Sequence, residues 1–196
     1  PVDVKAWVVD YARHRYGRDN AHAAQAWQQL AATAYRAPAG DHAIFDRAPT
    51  LGGGRGGAAY NQTQLAEAWR ELQRAADDLK DADTYRYDLV NVARQVLSNH
   101  ASVLHQDVLK AWRAKDAPAL ETATAQFLQL LDELDELLAT RREFLLGRWL
   151  EDAKRWGTTE AERAKFEWNA RRVLTRWGEG PASDDYARKP SSGMIS

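Results

Sequence analysis

Between Ala119 and Thr140 the apolar residues Phe127, Leu130, Leu131, Leu134, Leu137 and Leu138 recur at three- and four-residue steps, while Asp132, Glu133, Asp135 and Glu136 fall on the opposite side. That spacing follows the period of an α-helix, so the leucines form one buried face and the carboxylates a solvated back. Asp116 and Pro118 mark the break before it and the new helical start. The helical period governs almost all of the chain, and the reading is an all-α fold: a multi-helix array of antiparallel helices, interrupted by one long irregular Gly-rich loop.

The first helix is expected from about Asp3 to Tyr16, with Val4, Trp7, Val8, Tyr11 and Arg15 on one face and Gly17 as its end. A second follows from Asn20 as cap to Tyr35, carrying Ala23, Trp27, Leu30, Ala31 and Ala34, so that residues 1–35 form a helical hairpin. After the loop, Asn61 with Gln64 three residues on suggests a capping box, opening a helix whose core face is Leu65, Ala68, Trp69, Leu72 and Leu79. Asn61-Gln62-Thr63 also fits a glycosylation sequon, although capping already accounts for these residues. A long helix is expected from Thr84 to Ala114, burying Leu89, Val92, Val96, His100, Val103, Leu104 and Ala111. Two more follow: Glu143 to Trp156 around Phe144, Leu145, Trp149 and Ala153, then one opened by the Thr159/Glu162 capping box with Phe166, Ala170, Val173, Leu174 and Trp177 inward. The whole, residues 1–196, is read as a single helical domain: hairpin 1–35, loop 36–60 and array 61–196.

In the loop the pattern dissolves into Pro38, Gly40, Pro49 and the run Gly52-Gly53-Gly54-Arg55-Gly56-Gly57. A glycine run can cradle phosphate, but no Gly-Lys-Ser/Thr follows and no strand precedes, so the P-loop reading fails and a mobile connector is expected.

Lys and Arg number 27 against 28 Asp and Glu, a formal net charge of -1, which gives no field to hold a polyanion or an anionic membrane face. Neither nucleic acid nor a membrane is an expected partner, and no apolar run nears the roughly 18 residues a bilayer span requires. With no cysteine, disulfide frameworks, thiolate metal sites and a cysteine nucleophile are excluded together. Eight tryptophans are more than a helical core of this size needs; most are expected inside, although indoles also suit wet surfaces and sugar clefts.

No residue set nominates catalysis. His14, His22, His42, His100 and His105 lack the four-residue spacing of a zinc helix; His100 and His105, five apart, diverge by about 140°. His100, on an apolar stripe, reads as a hydrogen-bonded core histidine. No Gly-x-Ser-x-Gly elbow occurs. The carboxylates sit at caps, in first turns and on the acidic helix face, where burial that would raise a pKa is absent. The expectation is no catalytic residue, no metal site and no cofactor.

Several segments, in order, span nearly the whole chain and resemble one family. Tyr85-Arg86-Tyr87-Asp88-Leu89-Val90-Asn91-Val92-Ala93-Arg94-Gln95-Val96-Leu97, Glu143-Phe144-Leu145-Leu146-Gly147-Arg148-Trp149-Leu150-Glu151 and Trp168-Asn169-Ala170-Arg171 are similar to the C-terminal helical domain of glycoside hydrolase family 89. Phe45 to Leu51 is similar to that family's Arg-Pro-Ser-Leu segment, and Asp184 to Lys189 to its Asp-Tyr-Ala-x-Lys segment.

The resemblance implies a retaining α-N-acetylglucosaminidase acting on terminal α-linked N-acetylglucosamine, secreted or periplasmic in a bacterium. Its two glutamates lie on an upstream catalytic barrel of the same polypeptide, which is the implied partner together with the glycan. This chain then forms part of the cleft, is inactive by itself, and belongs to a polypeptide continuing beyond both its ends. Tyr60 and Arg47, with Trp177, are the implied substrate contacts. The family carries a Trp-Tyr pair where this chain has Ala59-Tyr60, so the indole is missing, and Ser191 replaces an aromatic. The residues alone also fit a stand-alone helical protein-interaction module, or a carbohydrate-binding module using exposed tryptophans.

Overall fold

The structure, a computed structural model, describes residues 3–37, 51 and 59–175. Among them eight α-helices and two short 3₁₀ turns are present: α1 Val4–Tyr16, α2 Ala21–Ala32, a 3₁₀ turn Ala34–Arg36, α3 Gln62–Arg74, α4 Ala76–Leu79, α5 Asp83–Ala114, α6 Ala117–Ala139, a 3₁₀ turn Arg142–Phe144, α7 Leu146–Lys154 and α8 Glu160–Thr175. The all-α class holds. The Gly-rich run Gly52 to Gly57 and the chain after Thr175 lie outside the described residues.

The helix ends follow from local chemistry. Asp3 accepts from the backbone N–H of Lys5 and Ala6, Asn20 from Ala23, Asn61 from Gln64 and Asp116 from Ala119, each satisfying donors that the first turn leaves open. Gly17 closes α1 at φ 77°, a left-handed backbone that a Cβ would strain.

Contacts divide the chain into two units, 1–141 and 142–196. In the first, α1 packs on α2, α2 on α3, and both α1 and α3 on the leading part of α5. Their core holds Val8, Tyr16, Trp27, Leu30, Leu65, Leu72, Leu79, Tyr85 and Val92. Each fully buried leucine of α3 and α4 contributes roughly 2 kcal/mol by removal from water. The trailing part of α5 packs instead on α6, where Ala101, Phe127 and Leu130 form a smaller core.

This division of α5 corrects one expectation. Its two ends serve different partners, so a single stripe does not describe it. His100 and Val103 face solvent, whereas His105 is buried with its ring 5.9 Å from Phe127. Val4 and Trp7, expected inward on α1, are also exposed, since Val8, Ala12 and Tyr16 make its buried face.

In the second unit, α7 packs on α8. Its described buried residues are Leu150, Gly157 and Ala170. Leu145, Trp149, Phe166 and Leu174, expected to face inward, are exposed, and the helix expected from Glu143 is instead a 3₁₀ turn followed by the shorter α7. The tryptophan expectation is likewise corrected: of those described, Trp27 is buried and Trp69 partly so, while Trp7, Trp112, Trp149, Trp156 and Trp168 are exposed.

The Thr159/Glu162 capping box is complete. The Glu162 N–H donates to Thr159 Oγ1 at 3.2 Å while Glu162 Oε2 accepts from the Thr159 N–H at 3.1 Å. The same carboxylate oxygen also accepts from the backbone and hydroxyl of Thr158. These bonds hold the Glu162 carboxyl down to about 2.

Candidate functional site

Tyr60 stands one residue before the Asn61 cap of α3, half-buried against the first core. Its hydroxyl accepts a hydrogen bond from Asn99 Nδ2 at 3.1 Å, and Asn99 Oδ1 in turn accepts from Gln95 Nε2 at 3.1 Å. The turn into α3 and the middle of α5 thus fix the ring between them. Arg47 and Trp177 lie outside the described residues, so of the three expected contacts only Tyr60 has a place here.

A second constellation was not nominated by the sequence. Arg15, at the end of α1, donates from Nε to Asp88 Oδ2 at 2.5 Å and from Nη2 to Asp88 Oδ1 at 2.8 Å. Tyr16 donates its hydroxyl to Asp88 Oδ2 at 2.8 Å, and Trp27 Nε1 donates to the Tyr16 oxygen at 2.8 Å. Every polar group in this chain of bonds has a partner, which is what makes burial of a carboxylate tolerable. The bond to Asp88 pushes the Arg15 guanidinium up. Burial, reinforced by the nearby carboxylate, pushes the Tyr16 hydroxyl up as well.

Around this ion pair runs an aromatic ladder. Trp7 stacks on Tyr11 with centroids 5.4 Å apart, Tyr11 meets Trp27 edge-on at 4.7 Å, and Trp27 lies parallel to Tyr35 at 5.9 Å with 2° between the planes. The Arg15 guanidinium lies 5.9 Å from the Tyr11 ring centre and 6.0 Å from that of Trp27, within cation–π range. Tyr35, in the 3₁₀ turn, is 66% exposed. One trace of this site was readable: Arg15 lies on an otherwise apolar stripe, and a charge there calls for a buried partner. Which partner, 73 positions away, no spacing rule supplies.

His22 Nδ1 donates to Glu71 Oε2 at 2.7 Å, and Arg74 pairs with the other oxygen. Burial opposes ionisation of Glu71, but the bond from His22 and the charge of Arg74 outweigh it and hold the carboxyl below its ordinary value. Among the described residues, the carboxyls Glu71, Asp83, Glu151 and Glu162 are displaced downward, away from what a general acid requires. Among the described residues no group of three or more His, Cys, Asp or Glu could hold a metal ion, and no helix is long and apolar enough to cross a membrane.

Fold and site together define an all-α domain with aromatic surfaces braced by buried ion pairs. The family model described as the Alpha-N-acetylglucosaminidase (NAGLU) C-terminal domain matches residues 7–196, and the chain belongs to that family. Human alpha-N-acetylglucosaminidase is 33% identical over 198 residues, covering 98% of this chain and 27% of the human protein. A family 89 glycoside hydrolase from Clostridium perfringens in complex with 2-acetamido-1,2-dideoxynojirimycin shares the fold at a TM-score of 0.84 and 26% identity, covering 94% of this chain and 22% of that one. The same values hold for a glutamate-to-glutamine variant of the Clostridium perfringens enzyme in complex with its substrate GlcNAc-alpha-1,4-galactose. This chain therefore spans about a quarter of the length of the relatives it matches.

Proposed function

We propose that this chain is the helical C-terminal portion of an α-N-acetylglucosaminidase, packing on a catalytic barrel of the same polypeptide and forming part of the cleft in which terminal α-linked N-acetylglucosamine is hydrolysed. The observation that carries the reading is the family match across residues 7–196, joined to a shared fold over 94% of the chain with a hydrolase of that family.

The division of labour follows from the side chains. Among the described residues, the displaced carboxyls Glu71, Asp83, Glu151 and Glu162 are held in the ionised form, and the carboxyl pairs that glycoside hydrolysis requires are assigned to the rest of the enzyme. The contribution of this part is positional. Tyr60, held through Asn99 and Gln95, presents an aromatic ring with a fixed hydroxyl at the junction with the loop. Arg47 and Trp177 complete the proposed set of sugar contacts. A ring that is already immobilised loses little entropy when a sugar stacks on it, which favours binding in a defined pose.

The glycan is proposed to be one ending in α-linked N-acetylglucosamine, as in the substrate of the Clostridium perfringens relative. The test replaces the corresponding segment of that enzyme with this chain and assays an aryl α-N-acetylglucosaminide. The chimera is expected to turn over, and the 196 residues alone are not. Turnover by the chain alone, or a folded chimera devoid of activity, would overturn the proposal.

A further inference from the structure

Asn99 makes two hydrogen bonds of opposite sense. Its Oδ1 accepts from Gln95 Nε2, one turn earlier on α5, and its Nδ2 donates to the Tyr60 hydroxyl, both at 3.1 Å. A carboxamide has one oxygen and one NH₂, so with the oxygen engaged by Gln95 the NH₂ is the end turned to Tyr60. All three side chains are half-buried, where such a chain of bonds is stronger than in water. The ring is held as well: it packs against the first core and precedes Asn61, whose side chain accepts from the Gln64 N–H at 3.0 Å. A phenol keeps its O–H near the ring plane, which leaves one in-plane direction for an accepted bond and one for its own hydrogen. Asn99 takes the first. The hydrogen is left for another group, and no acceptor for it stands among the described residues.

We propose that Asn99, backed by Gln95, is a positioning residue for the sugar site: it sets the Tyr60 hydroxyl as a donor, so that Tyr60 meets an acceptor oxygen of the ligand. The assignment rests on the proposed cleft role of Tyr60 and adds the direction of the bond. Direction bears on selectivity. A hydroxyl free to turn serves a donor or an acceptor equally, whereas one already accepting from Asn99 discriminates between them, because a donor left unmatched after water has been expelled is costly. Asn99 itself touches no sugar in this arrangement and acts only through Tyr60.

The test uses the chimera of this chain with the Clostridium perfringens enzyme, carrying Asn99→Asp, Tyr60→Phe, the two together, or His100→Ala. Titration calorimetry reads binding of 2-acetamido-1,2-dideoxynojirimycin, the compound bound by that relative, and circular dichroism checks that each variant keeps its helices. Aspartate has the shape of asparagine and still accepts from Gln95, but it offers Tyr60 an acceptor in place of a donor, so the phenol hydrogen turns away from the sugar. Asn99→Asp is expected to weaken binding about tenfold, the size of one hydrogen bond and the same loss as Tyr60→Phe, and the double variant should bind no more weakly than Tyr60→Phe alone. A protonated carboxyl donates again, so the gap between the native chimera and Asn99→Asp should close as pH falls from about 7 toward about 4. Loosened packing would produce no such dependence. His100→Ala, at the neighbouring solvent-facing position, should bind as the native chimera does. Unchanged binding by Asn99→Asp, losses that add in the double variant, or a gap that ignores pH would each overturn the assignment. A chimera that hydrolyses substrate while Asn99→Asp binds as tightly as the native refutes this inference alone, whereas one that neither binds nor hydrolyses removes the proposed function and this inference with it.

Discussion

Arg15 and Asp88 form a bidentate ion pair across 73 positions of sequence, tying the last turn of α1 to the leading part of α5. Asp88 is also the acceptor for Tyr16, so one buried carboxylate of α5 accepts from three donor groups, all in the last turn of α1. Asp88→Ala strands the guanidinium and the Tyr16 hydroxyl together and is expected to cost about 3 kcal/mol. Urea denaturation should show a lower midpoint with an unchanged slope. A loss within the range of an exposed surface pair would show that the network contributes little.

Gly157 joins α7 to α8, and a Cβ added there would lie 2.6 Å from the Arg163 backbone nitrogen and 2.9 Å from its Cα. Backbone cannot rotate away as a side-chain tip can. Gly157→Ala is therefore expected to destabilise residues 142–196 by roughly 2 kcal/mol, read as faster amide exchange in α8 than in α5.

Glu162 is held ionised down to about 2 by the Thr158 and Thr159 donors, against 4.5 when free. Its folded value is depressed, so its stabilisation is fully present above 4.5 and disappears as pH falls toward 2. α8 helicity in the native chain should decline across that window. Glu162→Gln, which keeps the capping geometry but cannot titrate, should flatten the decline. Equal profiles for the two proteins would contradict the assignment.

The two histidines of α5 should separate cleanly. His105→Ala removes a ring packed against Phe127 and is expected to cost about 2 kcal/mol, whereas His100→Ala, on the solvent side, should stay within about 0.5 kcal/mol of the native chain. Thermal denaturation of both variants decides it.

Much of the architecture was legible in the sequence. The all-α class, the Asn20 and Asn61 caps, the break at Asp116 and Pro118, the Thr159/Glu162 box and the acidic back of α6 all depend on residues within one or two turns of each other, and local chemistry is what spacing records. The resemblance of several short segments anticipated the family to which the chain belongs. Of the expected sugar contacts, Tyr60 has a defined setting, and its partner Asn99 lies 39 positions away.

What the sequence could not decide were the relations between elements. The inward face of α5 changes along its length because two different neighbours claim it, so His105 and not His100 is buried. Exposure of Trp149, Trp156 and Trp168 likewise depends on what packs beside α7 and α8, which hydrophobic period alone does not contain. By itself the sequence determined helices, their caps and the kinship, since backbone hydrogen bonding and side-chain period are local. Tertiary structure alone decided that Arg15 meets Asp88 and that Trp27 supports Tyr35, because only packing brings distant charges and rings within reach of one another.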